Sequence, residues 1–264
     1  MQGESLSRAL VALEESMVSL HRRYAAVRGS TLHDDGDCFW YESTIGSGVY
    51  GGVYQQRFSL ESADRRVEEV EMEMSMGYGW MVLPTSTPAD LGERIVAAGG
   101  KEVVELKGMA MWLSDLEPAP ACLNLAILPA VDEGLVREYA RLYPQLFGDL
   151  AADVLDRVAE AEIEILQSGR DVFHRYLAIE DNAFVGAGMT SRHGDACSLE
   201  TLLTLPEVRN RGIGRALATR ALMDERDAGA EMAVLWAGPG ADPLYTRMGF
   251  QHVGVAKGYM FGRD

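Results

Sequence analysis

Cysteine, long apolar runs and positive charge are what this sequence has least of. Its three cysteines, Cys38, Cys122 and Cys197, lie far apart and form no Cys-x-x-Cys pair. That spacing argues against a disulfide framework and against zinc, so we expect no metal, buried thiols and a reducing, cytoplasmic setting. No apolar stretch approaches the roughly 20 residues of a membrane-spanning helix. The first residues, Met1-Gln2-Gly3-Glu4-Ser5, lack the basic-then-apolar order of an export signal. A soluble chain with no membrane partner is the expectation. Against 40 acidic residues stand only 24 basic ones, a net charge of −16. Such a field repels phosphate backbones, so nucleic acid is excluded as a general partner and neutral or cationic partners are favoured.

What is there is enough chain, at 264 residues, for one large domain or two modest ones. Leu6, Leu10, Leu13, Met17, Leu20 and Tyr24 fall at spacings of three and four, which predicts a helix over about Ser5 to Val27. Strand character at Cys38 to Tyr41 and Val53 to Phe58 precedes a helix over about Ala63 to Met76 and a strand at Trp80 to Leu83. A short helix after Pro88 ends at Gly99-Gly100, and Met109 to Leu113 reads as strand. Pro118-Ala119-Pro120 then marks a boundary, giving domains at 1–120 and 121–264.

The second domain begins with a strand at Leu123 to Leu128, helices at Asp132 to Leu142 and Asp149 to Leu166, and strands at Tyr176 to Ile179, Ala183 to Met189 and Ser198 to Leu205. After a helix from Ile213 come a strand at Met232 to Ala237, a short helix from Asp242 closed by Gly249, and strands near Val253 and at Tyr259 to Phe261.

The two halves end alike. Gly99 stands as far before Lys107-Gly108 as Gly249 does before Lys257-Gly258, and Met81 to Leu83 matches Ala233 to Leu235 with a small shift. One loop sets them apart. Arg209, Arg211, Arg215 and Arg220 crowd a segment with no acid, whereas the corresponding Ser59 to Val70 carries Glu61, Asp64, Glu68 and Glu69 and no glycine. An acidic loop without glycine cannot hold a pyrophosphate, so only the second half should bind a nucleotide-like cofactor. The other reading of the chain is a single domain with an unrelated N-terminal extension.

The loop in question follows the strand ending Leu203-Thr204-Leu205-Pro206 and continues Arg209-Asn210-Arg211-Gly212-Ile213-Gly214-Arg215 into a helix with Leu217 and Ala221 on its inner face. Glycine at 212 and 214 lets main-chain N–H groups approach a ligand, and the start of the helix aims its positive dipole end at an anion. The loop reads as a pyrophosphate cradle.

This segment, Arg209-x-x-Gly212-x-Gly214 after Leu203-x-Leu205-Pro206, resembles the acetyl-CoA-binding signature of the GCN5-related N-acetyltransferase (GNAT) superfamily. Leu244-Tyr245-Thr246-Arg247-Met248-Gly249-Phe250 is similar to that superfamily's C-terminal Tyr-x-x-x-Gly-Phe segment. The likeness covers about Cys122 to Asp264, and the first half looks like a degenerate copy without the cofactor loop. It implies an α/β fold with two GNAT-like acyl-CoA N-acyltransferase domains in tandem, each a mixed, mostly antiparallel sheet flanked by helices.

The resemblance further implies that the parallel strands ending at Leu205 and starting near Met232 splay apart. Main-chain groups around Leu203, Thr204 and Leu205 would meet the pantetheine arm of acetyl-CoA, and the amides of Arg211 to Arg215, with Arg209 and Asn210 beside them, would meet its pyrophosphate. One departure is Gly238, where many members carry an asparagine, so a side-chain bond to the cofactor is missing.

Acetyl transfer to an amine needs a neutral nucleophile and a proton for the departing thiolate. Tyr245 occupies the family's position for the acid. Glu200 is our base, directly or through water, although plain alternation puts it on the face of Leu202 and Thr204, and a solvated strand glutamate is the other reading. His174, His193 and His252 have no spacing that singles them out. Tyr143-Pro144-Gln145-Leu146-Phe147 is our choice for an acceptor wall, with ordinary helix packing as its alternative.

The expected activity is transfer of acetyl from acetyl-CoA to a primary amine of a small molecule or peptide, by a monomer or homodimer. A non-catalytic acyl-CoA-binding or assembly module is the second reading. A dinucleotide fold is disfavoured because Leu217 stands where a third small residue is wanted.

Overall fold

The computed structural model describes residues 3–46, 50–74, 79–120, 122, 124–144, 150–168 and 172–262. In chain order these form α1 (Glu4–Tyr24), β1 (Ser30–Asp34), β2 (Phe39–Ser43), β3 (Gly52–Tyr54), α2 (Ala63–Glu73), β4 (Trp80–Val82), α3 (Leu91–Ala97) and β5 (Gly100–Trp112). There follow β6 (Leu125–Pro129), α4 (Glu133–Arg141), α5 (Ala152–Gln167), β7 (Phe173–Glu180), β8 (Ala183–His193) and β9 (Ala196–Thr204). Last come α6 (Ile213–Asp227), β10 (Met232–Ala237), α7 (Asp242–Met248) and β11 (Gln251–Phe261). Two compact units result, both discontinuous in sequence. Unit 1 is Met1–Gly108, Trp236–Asp242 and His252–Asp264; unit 2 is Met109–Leu235 and Pro243–Gln251. Pro118-Ala119-Pro120 falls within unit 2.

In unit 1, β1, β2 and β3 form an antiparallel run, β3 pairs parallel with β4 at Val53 and Trp80, and β4 pairs antiparallel with β11 from Val82/Lys257 to Trp80/Tyr259. The crossover between the parallel strands is α2, whose Val67 and Val70 face a core of Trp40, Phe58, Trp80, Leu91 and Ile95. α1 buries Leu13, Met17, His21 and Tyr24. His21 stacks on Tyr54, and burial holds its imidazole neutral, with a pKa down at about 3.

In unit 2, β6, β7, β8 and β9 form an antiparallel meander, and β9 then pairs parallel with β10. Here the crossover is α6. Its Ile213, Leu217 and Ala221 pack on Tyr176, Ala178 and Val185. Gly188 of β8 lets the helix lie close, since a Cβ there would meet Leu217 Cγ at 3.3 Å, and Gly186 leaves room for the neighbouring strand, where a Cβ would meet the Leu203 carbonyl oxygen at 2.8 Å. The far end of α6 is clamped by Glu225, which accepts from Thr190 (2.7 Å) and Arg192 (2.9 Å) and bonds His174 Nδ1 (2.6 Å). Burial works against its charge, yet these bonds hold the carboxyl below its ordinary range. Arg175, between His174 and Tyr176, points to the opposite face and meets the buried Glu162 of α5 at 2.8 Å.

Three elements differ from expectation. β1 is polar and largely exposed, an edge strand that only its pairing with β2 defines. β5 runs for 13 residues, because its charged first half is exposed strand rather than loop. β11 is continuous, since Gly254 and Gly258 mark close approach and not breaks; a Cβ on Gly258 would lie 2.5 Å from Val104 Cγ1. Cys38 and Cys197 are buried as expected, but Cys122 is half-buried.

Candidate active site

β9 and β10 pair only from Ala196/Met232 to Ser198/Val234. β9 continues to Thr204 with no ladder partner on that side among the described residues, which leaves a gap in the pairing beside it. On its other side β9 stays zipped to β8, with Leu203 opposite Ala187, Thr204 opposite Gly186, and the Leu205 N–H donating to Val185 O at 2.9 Å. In an antiparallel ladder alternate residues turn their N–H and C=O to the same neighbour. Leu203 and Leu205 therefore spend theirs on β8. The main-chain groups facing the gap belong to Leu202 and Thr204, one residue off those expected.

From Leu205 the chain makes one tight turn at Pro206–Val208 and reaches α6 through two left-handed residues, Asn210 (φ 63) and Gly212 (φ 85). The N–H groups of Gly212, Ile213, Gly214 and Arg215 have no acceptor among the described residues, and no side chain caps the helix. The first turn of α6 also lacks any acid. Arg209 Nε donates to Thr204 O at 3.1 Å, Arg211 pairs with Glu180 at 2.8 Å, and the buried Nε of Arg215 has no partner among the described residues. A Cβ on Gly214 would touch Thr204 Oγ1 at 3.4 Å and Leu244 Cδ2 at 3.9 Å. The strand end, the start of α6 and α7 thus converge on one spot.

Glu200 is the extra residue of a β-bulge. Thr190 pairs with Leu199 and Met189 with Thr201, leaving Glu200 opposite nothing. Thr190 bonds α6, and Leu202 packs in the α6 cluster, so regular alternation back from Leu202 would turn Glu200 to that helix. The bulge turns it to the α4 and α5 face instead. There Glu200 Oε1 accepts from Ser191 Oγ (2.8 Å) and Ser198 Oγ, with His193 Nε2 at 4.0 Å. Burial raises the carboxyl above its usual range, and the two hydroxyls hold part of that back. The sequence reading missed these three neighbours. Their signal is the paired spacing Ser191-x-His193 and Ser198-x-Glu200, which acquires meaning only with the β8/β9 register.

Tyr245, on α7, is almost wholly buried and packs edge-on against Phe250, with ring centroids 5.9 Å apart. Burial pushes its phenol up to about 12, and its hydroxyl has no hydrogen-bond partner among the described residues. Tyr143 donates to Glu162 at 2.6 Å, which serves helix packing; Gln145, Leu146 and Phe147 lie outside the described residues. His174 belongs to the Glu225 clamp and His252 is exposed. Gly238 accepts the Ala241 N–H at 3.0 Å.

The corresponding connection in unit 1 is closed. Gln56, fully buried after β3, donates to Val53 O (3.1 Å) and accepts from Ser86 Oγ (2.8 Å). Thr87 N–H donates to Gln56 O at 3.0 Å, and Phe58 N–H to Thr87 O at 3.2 Å, so the chain stays bonded past the β3/β4 pair. Before α2, Ser59 and Ser62 exchange N–H to hydroxyl bonds of 3.2 Å, and Ala63 N–H donates to Ser59 O. The turn consumes its own donors.

Among the described residues no helix is long and apolar enough to cross a membrane, and no group of three or more His, Cys, Asp or Glu is placed to hold a metal ion.

Residues 172–252 match the acetyltransferase (GNAT) domain. The uncharacterized N-acetyltransferase YjgM of Escherichia coli is 30% identical over 118 residues, covering 41% of this chain and 71% of that protein. A GCN5-related N-acetyltransferase from Kribbella flavida has the same fold at 14% identity, with a TM-score of 0.72 over 95% of this chain and 96% of its own. A tandem GNAT protein from the clavulanic acid biosynthesis pathway, 11% identical, gives 0.60 over 99% and 96%. The mixed α/β, tandem arrangement expected from the sequence is the observed one.

Proposed function

Because this chain belongs to the GNAT acetyltransferases, we propose that unit 2 moves acetyl from acetyl-CoA directly to a primary amine of a small molecule or peptide, and that unit 1 holds no cofactor. The observation that carries the reading is the open edge of β9, where the main-chain groups of Leu202 and the N–H of Thr204, whose carbonyl accepts from Arg209, face a gap that leads to the unpartnered amides of Gly212 to Arg215. Main-chain polar groups seldom go unsatisfied in a folded protein. Amide carbonyls and N–H groups of a pantetheine arm suit the gap, and a pyrophosphate suits the helix start with the orphaned Nε of Arg215 beside it.

Acetyl-CoA, when bound, supplies an acetyl group already activated as a thioester. The chain's own residues handle the protons. Glu200 Oε takes one from the incoming ammonium, directly or through one water, which frees the nitrogen lone pair for the carbonyl carbon. As the C–S bond breaks, Tyr245 Oη gives its proton to sulfur and regains one from solvent. A phenol held near 12 keeps that proton throughout neutral pH. The acidic chain, at −16, draws a cationic acceptor.

Calorimetric titration with acetyl-CoA, followed by thiol release across a panel of alkylamines, polyamines and lysine peptides, tests the reading. We expect one cofactor per chain and amine-dependent thiol release that Tyr245→Phe suppresses. No binding at millimolar acetyl-CoA overturns it.

A further inference from the structure

Between the tight turn after β9 and the start of α6, the main chain does little to hold itself. Val208 N–H donates to Leu205 O at 3.1 Å, Arg209 N–H to Pro206 O at 3.3 Å, and Ala216 N–H reaches back to Gly212 O at 3.0 Å. In between, the N–H groups of Asn210 and Arg211 make no main-chain hydrogen bond among the described residues, although Asn210 and Gly212 both sit at positive φ. A residue other than glycine in that conformation needs support from its surroundings. Side chains give it. Arg209 Nε donates back across the turn to Thr204 O at 3.1 Å, and Arg211 meets Glu180, the last residue of β7, at 2.8 Å.

Thr204 O belongs to the open edge of the sheet. Because the Leu205 N–H is spent on β8, the Thr204 carbonyl faces away from that strand, where a further strand or a ligand amide would otherwise take it. The cradle motif sets Arg209 beside the pyrophosphate, yet its Nε is spent on the protein. The acceptor is a neutral carbonyl, which asks for a directed N–H rather than for charge.

We propose that Arg209 is a positioning residue for the cofactor loop. Its Nε–H ties the start of the loop to the end of β9 and so fixes where the amides of Gly212 to Arg215 point; its charge does not act on the phosphates. This rests on the reading of the loop as the acetyl-CoA site. The pantetheine arm is left with Leu202 and the Thr204 N–H, and the anion with the amides and Arg215.

Glutamine and methionine separate position from charge. Both remove the charge, and both match arginine in length up to the ε position, where glutamine carries an N–H donor and methionine a methyl group. The test uses the full chain, calorimetric titration with acetyl-CoA, and thiol release with the best acceptor of the amine panel. We expect Arg209→Gln to bind acetyl-CoA within about twofold of wild type and Arg209→Met to bind about fivefold more weakly, within the range of one hydrogen bond. At saturating acetyl-CoA and amine, kcat of both should stay within about twofold of wild type, so that the loss falls on the KM for acetyl-CoA. Arg209 is exposed, and both variants should melt with wild type. Should Arg209→Met melt early, the glutamine variant decides alone, since a role for the charge requires its loss of affinity. Equal weakening of the two variants, or wild-type affinity in Arg209→Met, overturns the role of Arg209 while binding by the wild type leaves the cofactor site in place. No binding by the wild type at millimolar acetyl-CoA removes the site and the role of Arg209 together.

Discussion

Gln56 and Ser86 join side chain to side chain at 2.8 Å just past the parallel β3/β4 pair of unit 1. At the matching point of unit 2, β9 runs on beyond its pairing with β10 with no buried amide in the place of Gln56; Arg209 takes the Thr204 carbonyl, and the main-chain groups of Leu202 have no ladder partner on that side among the described residues. One fold therefore carries two states of the same joint. In the closed one, a buried amide does for Val53 O what we assign to the pantetheine arm in the open one.

Replacing Gln56 by alanine should orphan Val53 O and Ser86 Oγ without opening a usable site. Leaving buried polar groups unpaired costs about 1–3 kcal/mol. Denaturant unfolding of Gln56→Ala should show a loss of that size in unit 1, while calorimetry still counts one acetyl-CoA per chain. A wild-type stability would mean that Gln56 does not hold the joint closed.

Gly212 should be equally intolerant for a local reason. Its φ of 85 is a conformation L-residues avoid, and a Cβ there would lie 3.3 Å from Cys122 Sγ. A single residue forced left-handed costs about 1–2 kcal/mol. The turn would relieve that by rotating the amides aimed at the anion. Gly212→Val should weaken acetyl-CoA by about tenfold or more, since about 1.4 kcal/mol is a factor of ten. Unchanged affinity in calorimetry would remove this amide from the cradle.

The cradle was legible because it is local: Arg209 to Gly214 encode a turn, two left-handed residues and a helix start within one short segment. What depends on pairing was not. Leu202 and Thr204 face the gap, rather than Leu203 and Leu205, because the β8 register fixes which residues spend their main-chain bonds there. Glu200 leaves the face of Leu202 and Thr204 because of a bulge that no single strand announces. Gly254 and Gly258 look like breaks until the side chains that press on them, Leu10 and Val104, are in place. Sequence periodicity reports a residue's own strand, whereas these features belong to two strands at once.

Tyr245 offers a cleaner separation of roles. Its hydroxyl is unbonded among the described residues and its ring packs on Phe250, so removing the oxygen leaves the packing intact. Tyr245→Phe should keep its melting temperature and its affinity for acetyl-CoA, yet lose about 10²-fold or more in kcat, the scale of a positioned acid. Because burial holds the phenol at about 12, wild-type kcat should show no basic loss from this group until the pH nears that value. Retained turnover in the phenylalanine variant would assign the proton to another donor.

The acidic side of the pH profile belongs to Glu200. Burial raises its carboxyl, and the Ser198 and Ser191 hydroxyls, which stabilise the charged form, hold that rise in check. A base acts only when ionised, so kcat should fall as pH drops through the raised value, with its midpoint above that of an ordinary glutamate. Ser198→Ala removes one donor to the carboxylate and leaves the desolvation in place, which favours the neutral acid. The acidic limb of that variant should therefore move to higher pH. Initial rates of thiol release at saturating acetyl-CoA and amine, taken across the acidic range, measure the shift. A limb that stays where it was, or moves down, would show that the profile reports some other group.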